Sequence, residues 1–537
     1  MSKRYKKRGN YETINDYIKH KVGTNIRDLN KYKSYQITEI PKIANRIQNA
    51  ISHNKKIVVY GDFDVDGISS VCQFILLLKS MHATFSVSVP RRFSDGYGVK
   101  IKFTQKLDPN TVLILVDNGI AAIDAIQTAI ERGAEVIVMD HHMSAIDVNH
   151  QTVLPNAHII LDPEALPIGN DYINYCGAGL VYKLVEYMAK DNHLITKCSA
   201  FAALGTVADM VPLTEDNRRI VQNGLYAMNI GDIPYGLYAL INKMEYLGRV
   251  TSETISYYLA PVINSAGRLY DEGGKWVAIT LLEENHTTAN KMVEQLIQIN
   301  ATRKDIVRTL MDEITLDPND KVYAIRTPDG APLGCLGLVA GKITEETKKS
   351  TFVYSCDSKT GICKGSARSD DETTNHVKEM LDGIRPYLLE YGGHPGAAGF
   401  SFHINNESII RDYLTSYPVI PHDPNSYYDL VVRPKDLMQT LDTMDLCEPF
   451  GKGMEKPVFC MPCHFTQDGY WKAVGSNSEH LSFILPGTDY KAIAFNFAEQ
   501  YSNQGRPKRI NLYGQVAWNW YQGNRYPQFM VNDYEIF

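Results

Sequence analysis

Three continuous apolar runs mark the first half of the chain: "KIVVYG" (56–61), "TVLILVD" (111–117) and "EVIVMD" (135–140). They are rich in β-branched residues and separated by stretches of helical periodicity such as "AAIDAIQTAIERG" (121–133). Runs that are apolar on both faces predict parallel strands buried under crossover helices, so residues 41–245 read as an α/β domain. Each run leads into an aspartate, Asp62, Asp117 or Asp140. In open parallel sheets, ligand sites gather at the carboxyl ends of strands. The three aspartates are therefore expected to converge on one site.

From 246 to 318 the pattern turns helical, ending in "EENHTTANKMVEQLIQINATRKDIVRTLMDEI", which predicts a long connecting helix. A second α/β region is expected over 319–425, with "KVYAIRT", "CLGLVAGKI", "TFVYSC" and the glycine-rich "YGGHPGAAGFSF". Beyond 426 the helical signal fades into short strand-like runs. About five of them in about 110 residues suit a small OB-type β-barrel. Residues 1–40 open with the basic "MSKRYKKRGNYETIND", which has no apolar core behind it and reads as a solvated, partly disordered start.

At 537 residues the chain is too long for one core, in line with this division. An apolar fraction of 44% and a charged fraction of 22% are those of an ordinary globular protein. No apolar run is long enough to cross a membrane; "QFILLLKS" stops at Lys79. The nine cysteines are scattered, which fits a reducing cytoplasm better than a disulfide framework. "CMPC" (460–463) has zinc-knuckle spacing but no second pair, and reads as part of a strand. A net charge of −6 excludes a globally basic nucleic-acid binder and leaves room for a local basic groove.

The chemistry concentrates in "IVVYGDFDVDGISS" (57–70), where Asp62, Asp64 and Asp66 alternate without a local lysine or arginine. Carboxylates this close raise each other's pKa. A metal ion among them would remove that conflict. "DFDVDG" matches the start of an EF-hand loop, but the twelfth position is Gln73 and the segment follows a strand, so that reading fails. "VIVMDHHMS" adds His141 and His142 beside Asp140, and "ALGTVADMVPL" adds Asp209. Imidazole mixed with carboxylates suits manganese better than magnesium.

In order, "YGDFDVDG", "VDNG", "DHH" and "GTVADMVPL" resemble the four motifs of the DHH phosphoesterase superfamily. The resemblance implies that Asp64, Asp66, Asp117, His141 and Asp209 ligate two divalent ions, Mn²⁺ or Mg²⁺. It implies that His142 reaches the scissile phosphate, that Asp62 assists at the metals' edge, and that Asp140 orients the histidines. Two metals about 4 Å apart can clamp a phosphodiester, activate water and stabilise the leaving oxygen, with no covalent nucleophile.

Further motifs choose the substrate. "PRRFSDGYGVK" (90–100), "APVINSAGRLYDEGG" (260–274), "GSARSDD" (365–371), "YGGHPGAAGF" (391–400) and "CEPFGKGMEKPVF" (447–459) resemble the RecJ exonucleases, in their order. Carried over, Arg92, Arg268, Ser366 and Arg368 would grip phosphates, arginine forks suiting phosphate oxygens. His394 and its glycines would let backbone approach the nucleotide. Trp518, Trp520, Tyr521 and Tyr526, with Lys472 and Arg525, would offer a stacking platform for unpaired bases, or would fill the barrel core. Val262, Pro395–Gly396 and "GKGMEKP" depart from the family pattern, and none of them is a metal ligand. The resemblance implies a 5′–3′ exonuclease on single-stranded DNA that releases 5′-mononucleotides in repair or recombination, in the cytoplasm. A single-stranded-DNA-binding protein or a helicase would be its partner. The rivals are a phosphodiesterase for short oligonucleotides or cyclic dinucleotides, which would have no use for a terminal β-domain, and an inactive scaffold, which would have lost ligands.

Overall fold

A computed structural model describes residues 5–32, 35–146, 151–166, 174–244, 248–370, 374–420, 425–466, 469–521 and 524–537. The first four residues, Asp371 of "GSARSDD" and the side chain of Tyr521 lie outside that set.

The three apolar runs form the middle of a five-stranded, all-parallel sheet in the order 85–88, 57–60, 112–116, 135–139, 159–161. Their side chains alternate between two cores, as the period of two requires. Ile57, Val59, Val112, Ile114 and Ile137 join one core with the helices Glu39–Ser52 and Val65–Ser80. Val58, Tyr60, Leu113, Leu115 and Val136 join the other with the helix Ile123–Glu131. Both faces are therefore covered, and the chain leaves all three central strands at one sheet edge. The helices Gly177–Met188, Asn192–Ala208 and Glu215–Ile230 pack behind it.

The connecting helix runs from His286 to Asp312, 27 residues, which is roughly 40 Å at 1.5 Å per residue. Val293 and Leu296 lie in the first domain's core and Leu310 in that of the second. The second domain is a mixed sheet in the order 388–394, 397–403, 362–368, 351–356, 323–326, with only the last pair parallel. On its hairpin Cys356 faces Cys363 directly and the two form a disulfide. The sequence could not show that pairing, because it depends on hairpin register; the other seven cysteines are free and buried.

The C-terminal domain, expected to be of OB type with about five short strands, has a seven-stranded sheet in the order 430–431, 459–464, 509–521, 524–536, 491–494, 480–484, 471–474, and no closed barrel is found among the described residues. Two of its strands, 509–521 and 524–536, are 13 residues each and pair along their length, where the sequence read short pieces. The N-terminal stretch is folded rather than solvated. Tyr5–Lys7 pairs in parallel with Ser426–Tyr428, and a capping box between Thr13 and Asp16 starts the helix Ile14–Val22. Tyr17 and Ile18 on that helix are buried in the C-terminal core. The distant domains are also tied by Arg218, fully buried, which donates to the carbonyls of Cys447, Glu448 and Pro449 at 2.7–3.0 Å.

Candidate metal centre and phosphate-facing groove

The buried strand Ile57–Tyr60 runs through Gly61 and Asp62 into the helix Val65–Ser80. Asp64 caps that helix, accepting from the Asp66 and Gly67 N–H groups at 3.0 and 3.1 Å. Residue 67 must be glycine, since a Cβ there would lie 2.6 Å from the Asp62 nitrogen. Asp66, in the first turn, is 2% exposed and accepts from the N–H groups of Gly177 and Ala178 at 2.7 and 2.9 Å. Asp117 leaves its strand with φ 58°, a left-handed turn that few side chains adopt. Asp140 accepts from the Ile120 and His141 N–H groups at 3.0 and 2.8 Å. Its Oδ1 also lies 2.7 Å from His142 Nδ1.

These ends do converge. His141 Nε2 lies 3.1 Å from Asp117 Oδ1 and 3.5 Å from Asp66 Oδ2, and its Nδ1 lies 3.8 Å from Asp209 Oδ2. Three overlapping triads, Asp62–Asp64–Asp117, Asp66–His141–Asp209 and Asp117–His141–His142, each bring ligand-type atoms within 4.8 Å of one another. Tyr97 OH reaches His142 Nδ1 at 3.0 Å. The structure thus gathers all eight residues expected at the site: Asp62, Asp64, Asp66, Asp117, Asp140, His141, His142 and Asp209.

Electrostatically the cluster is in conflict with itself. Burial, then the Asp64 charge, drives the Asp62 carboxyl well above its usual range. Burial and the charges of Asp66, Asp64 and Asp62 do the same to Asp117. Asp209 is pushed up to about 8 by burial and Asp66. Burial lowers His141. His142 moves the other way: burial works against its charge, but the hydrogen bond to Asp140 and that carboxylate's charge prevail and raise it to about 9. Asp140 is held low despite burial, chiefly by the same bond. Among the described residues no lysine or arginine forms an ion pair with these carboxylates, and Asp62 Oδ1, buried, has no partner. A divalent cation fits this donor set of carboxylates with one or two imidazoles.

A second region is basic. Arg92 lies over the Phe63 ring at 4.6 Å and lines a cavity of about 400 Å³ with Lys364, Ser366, Gly392 and Gly399. Arg268 donates to the Gly334 carbonyl at 3.0 Å, and burial with the charges of Arg92, Arg368 and Arg303 pushes its pKa down to about 9. Ser366 and Arg368 both border Gly337, on the helix Leu333–Thr347. No carboxylate lies at ion-pair distance from Arg92, Arg268, Arg303 or Arg368 among the described residues, so the group is suited to an external anion.

Other expected residues stand apart. His394, exposed at the end of the strand Leu388–His394, does not line the Arg92 cavity. Trp518 Nε1 donates to Asp445 at 2.9 Å, and Arg525 covers its ring at 4.1 Å. Trp520, half-buried, pairs with Arg525 across the hairpin. The two tryptophans share a face, and Trp518 packs against the C-terminal core. Lys472 sits on the far edge strand of that sheet, well away from theirs. Sequence reasoning missed Arg303, Lys364 and the pair Gly177 and Gly205 that lets Asp66 nest. Only the glycine pairing "GAG" at a helix start hinted at the last of these.

Residues 56–206 match the DHH family, N-terminal domain, and residues 428–533 the RecJ OB domain. The single-stranded-DNA-specific exonuclease RecJ of Bacillus subtilis is 27% identical over 94% of this chain, and the chain spans 64% of its length. The RecJ of Haemophilus influenzae is 28% identical over 93% of this chain and 90% of its own. The crystal structure of RecJ in complex with Mn²⁺ from Thermus thermophilus shares the fold, with a TM-score of 0.80 at 24% identity over 96% of this chain and 74% of that one. With a match to the DHH family's N-terminal domain over the segment that carries the converging carboxylates, and to the RecJ OB domain at the other end, the chain is similar to the RecJ exonucleases along nearly its whole length.

Proposed function

We propose that the chain is a metal-dependent exonuclease that degrades single-stranded DNA 5′ to 3′ and releases 5′-mononucleotides. The observation that carries the reading is the juxtaposition of a self-repelling carboxylate–histidine cluster with an arginine group that has no acid partner of its own. The curated relatives are named for single-stranded-DNA-specific exonuclease activity, which supports the substrate. Polarity and product follow the family.

Asp64, Asp66, Asp117, His141 and Asp209 would hold two Mn²⁺ or Mg²⁺ ions, with Asp62 at their edge. When bound, such ions supply Lewis-acid polarisation of the phosphodiester and activation of water. The chain's own residues do the rest. Asp140 fixes the ring of His142, whose free Nε2 presents a proton to a phosphate oxygen. Arg92, Arg268, Ser366 and Arg368 hold the terminal phosphate and so set which bond lies over the cluster. Trp518, Trp520 and Tyr526 support the trailing strand from the C-terminal domain. In this reading 41–245 is the phosphoesterase domain, 246–318 the connector, 319–425 the domain that grips the phosphate, and 426–537 the strand-binding domain, with 1–40 packed on it. A single-stranded-DNA-binding protein or a helicase would present the substrate.

Digestion of 5′-labelled and 3′-labelled single strands with Mn²⁺, beside Asp117→Ala, tests this. Early release of the 5′ label as mononucleotide, absent in the variant, is expected. Hydrolysis of dinucleotides with no attack on long strands would overturn the substrate, and inertness towards both would overturn the activity.

A further inference from the structure

A cavity of about 670 Å³ lies between the Asp209 segment, the helical connector and the approach to the C-terminal domain. Its walls include Met210, Tyr257, Arg268, Arg303, Lys452 and Gln515. We propose that this cavity takes the nucleotide next to the one released, with its unpaired base stacked on Tyr257 and its phosphate held by Arg303 and Lys452. The proposal rests on the nuclease reading above.

Tyr257 is 74% exposed, more than any other large apolar side chain among the described residues, and Met210 in the same walls is 65% exposed. An aromatic on a helix ordinarily turns its ring to a core. Here residues Ile255–Leu259 wind as a π-helix, a distortion that recurs at functional sites, and the ring faces the cavity instead. Charge supplies the second observation. Arg303 is only 9% exposed, has no carboxylate at ion-pair distance, and its Nε has no partner; its Nη2 donates to Asn300 Oδ1 at 2.8 Å. Of the other charges in the walls, Lys456 pairs with Glu253 at 2.8 Å, and Glu455 is paired at 2.8 Å with Lys21, which lies outside the cavity lining. Arg268, Arg303 and Lys452 remain, so the cavity is net positive. It starts beside Asp209 and ends at Gln515 on the C-terminal sheet. A strand passing from cluster to sheet would cross it. A stacking face beside cations, open on one side, selects unpaired bases, since a base in a duplex is already stacked on both faces.

The test uses the full chain with a single-stranded oligonucleotide carrying 2-aminopurine at its second position, whose fluorescence falls on stacking. In an Asp117→Ala background, which stops cleavage, binding should quench the probe, and adding Tyr257→Ala should remove the quench while Tyr257→Phe keeps it. In the active enzyme Tyr257→Ala should raise KM for the strand about tenfold with little change in kcat. Equal quenching with and without the Tyr257 ring, or an unchanged KM, overturns the proposal. If the wild type cuts no strand, the nuclease reading fails separately, and the quenching result still decides whether Tyr257 stacks a base.

Discussion

The backbone N–H of Gly177 donates to Asp66 Oδ2 at 2.7 Å, joining the first turn of one helix to a carboxylate more than a hundred residues earlier. The bond holds Asp66 beside His141 and Asp117. Gly205 closes the other side, where an added Cβ would collide with Asp66 Oδ1 and with the Ala178 methyl. Gly205→Ala should therefore displace the carboxylate. Residues that orient metal ligands typically change affinity by about 10–100-fold. Calorimetric titration with Mn²⁺ should show a loss in that range, and wild-type affinity would disprove the nesting role.

Asp140 makes a different kind of contact. Its oxygens accept from backbone N–H groups and hold His142 at 2.7 Å. Asp140→Asn keeps the shape, removes the charge, and lets the ring turn. Strand digestion should lose about 10–100-fold in kcat with KM nearly unmoved, because the arginines proposed to hold the terminal phosphate lie elsewhere. A change confined to KM would place Asp140 with substrate binding.

The parts of the site on strand ends were legible because buried parallel strands carry a distinctive sequence pattern, and Asp62, Asp117 and Asp140 end three of them. Residues whose role depends on a partner far along the chain were not. Tyr17 and Ile18 read as the start of a loose tail, since their burial is against a domain more than 400 residues away. Arg303 sits in a polar helix like any surface arginine until its neighbours are known. Lys472 was grouped with the tryptophans as a cation of one stacking platform, whereas strand order puts it at the sheet's far edge.

Asp216 gives a pH dependence away from the cluster. It is fully buried, 2.8 Å from Lys183, 2.6 Å from Arg219 and 2.6 Å from Tyr175 OH. Burial opposes its charge, but the bonds to Arg219 and Lys183 prevail and set the carboxyl below its usual 3.8. A depressed pKa stabilises the fold above the unfolded value and loses that contribution as pH falls through the folded one. Wild-type stability should thus decline below about pH 4 more steeply than that of Asp216→Asn. At neutral pH Asp216→Asn should cost about 1.5–3 kcal/mol, the worth of a hydrogen bond to a charged group, since Arg219 and Lys183 keep Glu186 as a partner. Urea denaturation across pH measures both, and parallel pH profiles would remove Asp216 from the account.

Asp117 should show a reversal of sign with metal. It stands buried among Asp62, Asp64 and Asp66, which hold its carboxyl far above the usual range. Without a cation that repulsion weakens the fold, so Asp117→Asn in EDTA should be more stable than the wild type. With Mn²⁺ the order should invert. A cation bound by the native state alone adds about 2.7 kcal/mol at a hundred times its Kd, and the variant, short of one anionic ligand, gains less. Thermal melts of both proteins in EDTA and in Mn²⁺ supply the four values. If Asp117→Asn were the less stable protein under both conditions, the carboxylate would be structural, and the cation would have to be held by the remaining donors.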